Sequence, residues 1–448
     1  MAKAPTTEEL FLTMTVPQAV RAMAVPAVIS QLIVLIYNLA DTYFIGQTNN
    51  PAMVAGVSLI LPVFNLTLAF AGVFGTGGGA LLPKLIAVDR KEEAARAAGY
   101  CVKLGSAVAL GFSLVMLLFA RPILLALGAG ENTLPYAEIY VFTVLVLGGI
   151  PTVLSNVVSN LLRSLGLSRE AGIGVALGGV LNIGLDPLFM FVILPKGSEV
   201  LGVGIATLLS NLISCGYCLT VYFRKQKIIR ASILLPVPDR ESRRAIINVG
   251  IPGAAGMLLF DLDYIVLDKL VSAYGDTALA AMGIVLKAER FPQQVGIGLC
   301  QGMVPLIAYS YALRDFKRVK EIMATTLKAG IAVAAVSLTV YELFTHRIVE
   351  LFIREPETLA TGTAFLRVRS LAAVIMFFCF FAVFVYQGLG NGQRALFLAV
   401  FRWAVLNIPM LFVFNAIIGM YGLGWSQVVS DITTVLVSFL ILKKDMRQ

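Results

Sequence analysis

The chain has 448 residues, 58% hydrophobic and 14% charged, with a net charge of +9 and a mean hydropathy of +0.87. Soluble domains carry about a quarter charged residues, so an ordinary globular protein is excluded. Apolar runs of about 20 residues recur from end to end, each able to cross a ~30 Å hydrocarbon core, and they lack the period-2 alternation of a membrane barrel. An all-α polytopic membrane protein is the expected class.

In chain order, twelve spans are expected, near 22–44, 54–84, 94–120, 136–160, 171–194, 200–222, 246–272, 278–310, 321–343, 360–389, 395–418 and 422–442. The first follows a polar MAKAPTTEEL start without a small-residue cleavage site, so it reads as a span and not as a cleavable signal. It holds one charge, Asp41, in YNLADTYFIG, with Tyr37 four residues earlier on the same helical face. A mid-membrane aspartate costs about 2.5–3.5 kcal/mol on insertion scales, so it must be neutral, paired or facing water. Pro26, lacking an N–H, makes this span easy to bend and is a candidate hinge. GTGGGA, at 75–80 in span two, lacks the Lys-Ser of a phosphate loop and reads as close helix packing.

Span four contributes Asn156 and Asn160, and span five Asn182 and Asp186, again at i and i+4. Span five runs outward like span one, which sets Asp186 at a depth similar to Asp41. Two carboxylates together in low dielectric cannot both ionise cheaply. Such a pair can exchange a proton or hold Na⁺. Cys215 and Cys218 in span six spell C-x-x-C without a His or a second Cys pair, which favours packing over metal or redox chemistry. Span seven carries Asp261 and Asp263, about 200° apart on a helix, so one is expected towards a cavity and the other towards a neighbouring helix. Gln301 in span eight joins Asp261, Asp263, Asn156 and Asn160 as a candidate substrate contact.

Lys and Arg cluster in the connection after span six, from Arg224 to Arg244, and in loops on that same face. Positive-inside places both termini in the cytoplasm of a cell-membrane protein, and the net charge is a topology signal and not a nucleic-acid site. The halves repeat: Pro26 matches Pro252, Pro83 matches Pro305, Gly166 matches Gly390, Asn182 matches Asn407 and Gly204 matches Gly424, at offsets of 226, 222, 224, 225 and 220. Two parallel six-helix repeats follow, with lobes at 1–223 and 246–448, a linker at 224–245 and a cavity between the lobes.

The paired halves, the YNLADTYFIG run, the proline openings of spans one and seven, and the GLCQGMVPLIAYSYALRD segment resemble the multidrug and toxic compound extrusion (MATE) transporters. The likeness covers essentially the whole chain and is nearest to the DNA-damage-inducible and MepA-like prokaryotic branch. It implies V-shaped lobes and alternating-access export of cationic or amphipathic drugs, driven by H⁺ or Na⁺. It also maps the coupling cation onto Asp41 and Asp186, with Tyr37, Asn182 and Thr207 around them. Another branch uses acids on helices seven and ten; span ten here has none, which argues against a complete site of that type. No Walker A loop, G-x-S-x-G, H-E-x-x-H or Cys/His cluster appears, so an enzyme is not expected, nor a cofactor beyond the coupling ion. A monomer is expected, with small organic molecules and membrane lipid as its partners. The rival reading is a lipid-linked precursor flippase of the same superfold, which needs a strongly cationic cavity.

Overall fold

The computed structural model describes residues 7–230, 232 and 234–445, and among these it is helical with no strand. With no water available to backbone groups, helices that satisfy their own N–H and C=O groups are the natural solution for such apolar runs. In chain order they are α1 Val16–Gly46, α2 Pro51–Ala87, α3 Lys91–Ala126, α4 134–164 (bent by 48° at Gly148), α5 Ser168–Ile193 and α6 Glu199–Arg224. The second half gives α7 Arg240–Ser272, α8 Asp276–Ala312, α9 Phe316–Glu350, α10 Pro356–Leu389, α11 392–418 and α12 Gly422–Asp445. Gly419, at φ +73°, breaks the last apolar stretch of 54 residues into two spans, which completes the twelve. Gly166 and Gly390, matched in the repeat, both close their helices with left-handed backbone at φ +82° and +78°.

Helix starts carry their own signals. Pro17, Pro51 and Pro356 sit in the first turn of α1, α2 and α10, where no N–H is needed. Asp239 caps α7 by accepting from the Ser242 N–H at 2.7 Å, so the helix begins at Arg240, inside the linker expected to run to 245. α5 continues through Pro187 in wide turns to Ile193, close to the end at 194 expected for span five.

The core explains the shape. One buried cluster joins both halves of the chain, with Met23, Phe74 and Leu161 from the first and Leu306, Ile322 and Phe381 from the second. It lies on the side bearing both termini. Towards the opposite side the core divides: Ile45, Met116 and Tyr140 belong to a first-lobe cluster, while Leu267, Val285 and Phe365 belong to a second-lobe cluster. The lobes are therefore fused at the terminal side and separate at the other.

Small residues make that fusion possible. A Cβ on Gly302 would lie 2.6 Å from Ala24 Cα, and one on Gly298 would lie 2.6 Å from Val28 Cα, so α8 crosses α1 almost backbone to backbone. Gly250 meets the Val73 carbonyl and Gly77 the Ile246 carbonyl just as closely, locking α7 to α2. Ahead of α1, Phe11 stacks on Tyr309 with ring centroids 4.6 Å apart, and Arg318 donates to the Met14 carbonyl at 3.0 Å. Lys84 of α2 donates to the Leu389 carbonyl at the end of α10 at 2.7 Å, beneath the Tyr311 ring. At the start of α7, Arg90 pairs with Asp239 at 2.8 Å. The Ser242 amide, the Ser242 hydroxyl and then Arg90 hold the Asp239 carboxyl below the usual carboxylate range. Because that value is depressed, the contribution is complete above the unfolded-state value and is lost only as the pH falls through the folded one.

The glycine crossings generate a contrast that thermal unfolding in detergent can read. Gly250→Ala and Gly302→Ala must push the lobes apart and should each destabilise by about 1–3 kcal/mol, the usual cost of overpacking. Gly111→Ala meets nothing within 4 Å. It should be neutral or raise the midpoint, since alanine is the better helix former by about 0.5–1 kcal/mol. Equal midpoints for all three variants would contradict the crossing geometry.

Candidate functional site

The first lobe brings its two acids together. α1 and α5 approach closely because Gly179 has no side chain; a Cβ there would lie 2.7 Å from Ile33 Cγ2 and 3.0 Å from Tyr37 Cδ1. Further along the same crossing, Asp41 of α1 and Asp186 of α5 stand in hydrogen-bonding contact through their carboxyl groups. Asp186 is 0% exposed and Asp41 half-buried. Asn182 donates to Asp186 Oδ1 at 3.2 Å and to the Thr207 hydroxyl of α6 at 3.4 Å. Asp41 Oδ1, Asp186 Oδ2 and Asn182 Oδ1 are buried and receive no hydrogen bond. Among the described residues neither acid has an ion pair, so the charge of this site is uncompensated.

All five residues assigned to the cation site, Tyr37, Asp41, Asn182, Asp186 and Thr207, are thus neighbours where α1, α5 and α6 meet. The sequence reading missed a sixth. Tyr140 of α4 is hydrogen-bonded to Thr207 through its hydroxyl and lies within electrostatic range of both acids. A tyrosine in an apolar span gives no periodic signal that separates it from a packing aromatic, so only the fold reveals it.

The second lobe meets intramembrane charge differently. Arg369 of α10 grips Glu289 of α8 with two bonds of 2.7 and 2.9 Å. Arg402 of α11 grips Asp431 of α12 at 2.7 and 3.1 Å, with its guanidinium 4.0 Å from the Trp403 ring centroid. Both pairs are buried. Asp263 of α7 accepts from Asn407 at 2.8 Å on each oxygen, Asn407 also reaches Gln427, and Gln427 donates to Asp431 at 3.0 Å. The signal for these pairs was available, as a few charges within the apolar runs of spans eight, ten, eleven and twelve, but pairing them needs the packing.

The repeat offsets relate the two lobes. Adding 226 carries Tyr37 to Asp263 and Asp41 to Leu267; adding 225 carries Asn182 to Asn407 and Asp186 to Leu411; adding 220 carries Thr207 to Gln427. At the positions of the first-lobe acid pair the second lobe has two buried leucines. The scaffold is duplicated and the uncompensated acids are not.

The remaining candidates fall elsewhere. Asp263 points into the second lobe, whereas Asp261 is half-buried at hydrogen-bond reach of Asn65 on α2, across the interlobe gap, and close to Arg290. Asn160 donates to the Asn156 carbonyl at 2.9 Å and to its side chain at 3.1 Å, and it packs on Gly75. Gln301 keeps a buried Oε1 without a donor. Pro26 lies inside α1 at its crossing with Gly172 of α5, where a Cβ would be 2.9 Å from the Pro26 carbonyl oxygen. Two of the glycines at 75–80 pack closely, Gly77 on α7 and Gly78 on Cys101.

A family model described as MatE matches residues 26–188 and, a second time, residues 252–413. The chain belongs to the MatE family. The two matches reproduce the internal repeat and stop short of α6 and α12. Among MatE relatives, the multidrug export protein MepA of Staphylococcus aureus is 27% identical over 425 residues, covering 95% of this chain and 93% of its own. MepA of Staphylococcus saprophyticus is 27% identical over 419 residues, covering 94% and 92%. Solved structures share the fold. An outward-facing multidrug resistance MATE transporter of the MOP superfamily superposes with a TM-score of 0.93 at 22% identity, over 100% of this chain and 99% of its own. A MOP superfamily transporter from Pyrococcus furiosus, described as having a binding pocket of reverse polarity, gives 0.92 at 22% identity over the same shares.

The buried ion pairs yield a stability test. Breaking one by Asp431→Asn strands Arg402 and should cost about 3–5 kcal/mol, whereas the paired change Arg402→Met with Asp431→Leu should be near neutral. Thermal midpoints of the single and double variants check this; a double variant as unstable as the single one would contradict it.

Proposed function

We propose that the chain is a cation-coupled exporter of cationic or amphipathic organic compounds, working by alternating access between its two lobes in a cell membrane with both termini in the cytoplasm. The observation that supports this best is the acid pair, two touching carboxyl groups with buried, unpartnered oxygens and no basic neighbour. A proton is the coupling ion this arrangement suits, because one proton shared between the two groups removes the repulsion and serves the empty oxygens. Na⁺ is the second reading, favoured by the unpartnered oxygens of Asp41, Asp186 and Asn182 in one pocket.

The proposed cycle uses that arrangement. With the terminal side fused and the other side parted, we take the acids to exchange their ion with the outer water. Protonation there neutralises the pair and weakens its hold on a bound organic cation, which leaves outward. Pro26, inside the α1–α5 crossing that carries Asp41, is the point where α1 can bend when that charge changes. Coupling needs different substrate affinities in the two states, so substrate and ion must compete through α1. A lipid-linked precursor flippase would need a gap dominated by cations. Arg369 and Arg402 are neutralised by Glu289 and Asp431, and the acid pair of the first lobe has no basic neighbour.

Proteoliposomes loaded with a fluorescent organic cation test the proposal under a pH gradient and, separately, a Na⁺ gradient. The pH gradient alone should drive export, and Asp41→Asn should reduce it more than about tenfold, the range of a typical coupling energy, while dye binding persists. Wild-type export rates in Asp41→Asn vesicles would overturn the role of the pair, and export driven by Na⁺ alone would transfer that role to sodium.

A further inference from the structure

The second lobe carries a charge that neither its ion pairs nor the acid pair of the first lobe explains. Lys287 of α8 is exposed, and among the described residues it makes no ion pair or hydrogen bond. It lies seven residues from the middle of a 37-residue helix, about 10 Å at 1.5 Å per residue, and so inside a hydrocarbon core of ~30 Å. An unpaired ammonium at that depth does not rest among lipid tails: it meets water or an anion, or its stem carries it to the interface.

The helix geometry says which way it points. Gly298 and Gly302 form the face of α8 that crosses α1 on the terminal side. Lys287 precedes Gly298 by eleven residues, three turns with a residual rotation of about 20°. Lys287 therefore lies on the α8 face that packs against the first lobe where the lobes are fused, carried past Pro292 to the side where they part. One turn further on, exposed Arg290 stands 5.7 Å from the Tyr264 ring centroid, between Asp261 and Asp268. Its charge is matched by those two acids; that of Lys287 is not.

We infer that Lys287 forms an anion-binding subsite of the interlobe gap, and that the chain favours zwitterionic amphipaths carrying a carboxylate at a distance from a delocalised cation. The inference rests on the export reading above and narrows its substrate class. The cationic end lies towards the uncompensated acids of α1 and α5, and the carboxylate end on the α8 ammonium. Each end meets the charge left unpaired on its own wall. A simple lipophilic cation satisfies the first wall and leaves Lys287 without a counter-charge, so it binds less well than a zwitterion of the same shape.

Rhodamine 110 and its methyl ester rhodamine 123 differ only in whether the carboxylate is free, and fluorescence anisotropy on the full chain in detergent measures both affinities. Wild type should bind the free acid about tenfold more tightly, the scale of one charge-assisted hydrogen bond. Lys287→Gln should bring the ratio to about one with rhodamine 123 affinity unchanged, which also shows that the variant is folded, and Lys287→Arg should keep the preference. Wild type preferring the ester, or Lys287→Gln weakening both dyes alike, would overturn the subsite while leaving the export reading intact. Failure to bind either dye, and to export any organic cation in vesicles, would overturn both.

Discussion

A charge stranded in hydrocarbon costs about 2.5–3.5 kcal/mol even on the gentler scales, and the architecture of this chain follows from how each intramembrane charge meets that cost. For the buried charges of the second lobe the answer is pairing within the lobe: Arg369 with Glu289 and Arg402 with Asp431 form two-pronged ion pairs, and Asp263 accepts from the Asn407 amide. Taking such pairs out of water offsets much of their mutual attraction, so they specify a packing more than they stabilise it. In the first lobe the answer is different. Asp41 and Asp186 are left with each other, and two acids cannot neutralise each other without a proton or a cation from outside.

The duplicated scaffold makes the contrast pointed. Asn182 and Thr207 correspond to Asn407 and Gln427, and in both lobes the asparagine donates to a buried carboxylate. The first lobe then adds acids where the second has Leu267 and Leu411. The buried acids of one lobe are thereby satisfied by its own side chains, while the two of the other are left facing each other. The glycine crossings at the terminal side, α8 on α1 and α7 on α2, bring the lobes into backbone contact there and leave the gap beyond them open. Because α1 both carries Asp41 and forms one of those crossings, a change at the acid pair is mechanically connected to the closed end.

Much of this was legible in the sequence, for physical reasons. Membrane spans announce themselves by length and hydropathy, and the repeat by helix-breaking or turn residues such as Pro26 and Pro252 or Gly166 and Gly390, whose backbone demands cannot be met by other residues. Asp41 and Asp186 stood out because a lone acid in an apolar run is expensive, and matched depth suggested that they meet. Pairings between helices distant in sequence were not legible: nothing in 280–300 says that Glu289 will find Arg369, since i and i+4 spacing speaks only within one helix. Tyr140 was hidden because its hydroxyl is the only part of it that differs from the aromatics around it. The start of α7 was misplaced because charged RESRR looked like linker, whereas Asp239 is an N-cap and the basic run is the helix's first turns.

Proton release on substrate binding is the most direct test of the central claim, that the Asp41–Asp186 pair holds an exchangeable ion in competition with substrate. Calorimetric titration of an organic cation into the purified chain, in buffers of different ionisation enthalpy, counts the protons released. At a pH where the pair is protonated, the account predicts close to one proton per bound cation, belonging to the pair as a unit. Asp41→Asn and Asp186→Asn should each abolish the release. A binding enthalpy independent of buffer at every pH from 5 to 8, with Na⁺ displacing the cation instead, would contradict the proton account.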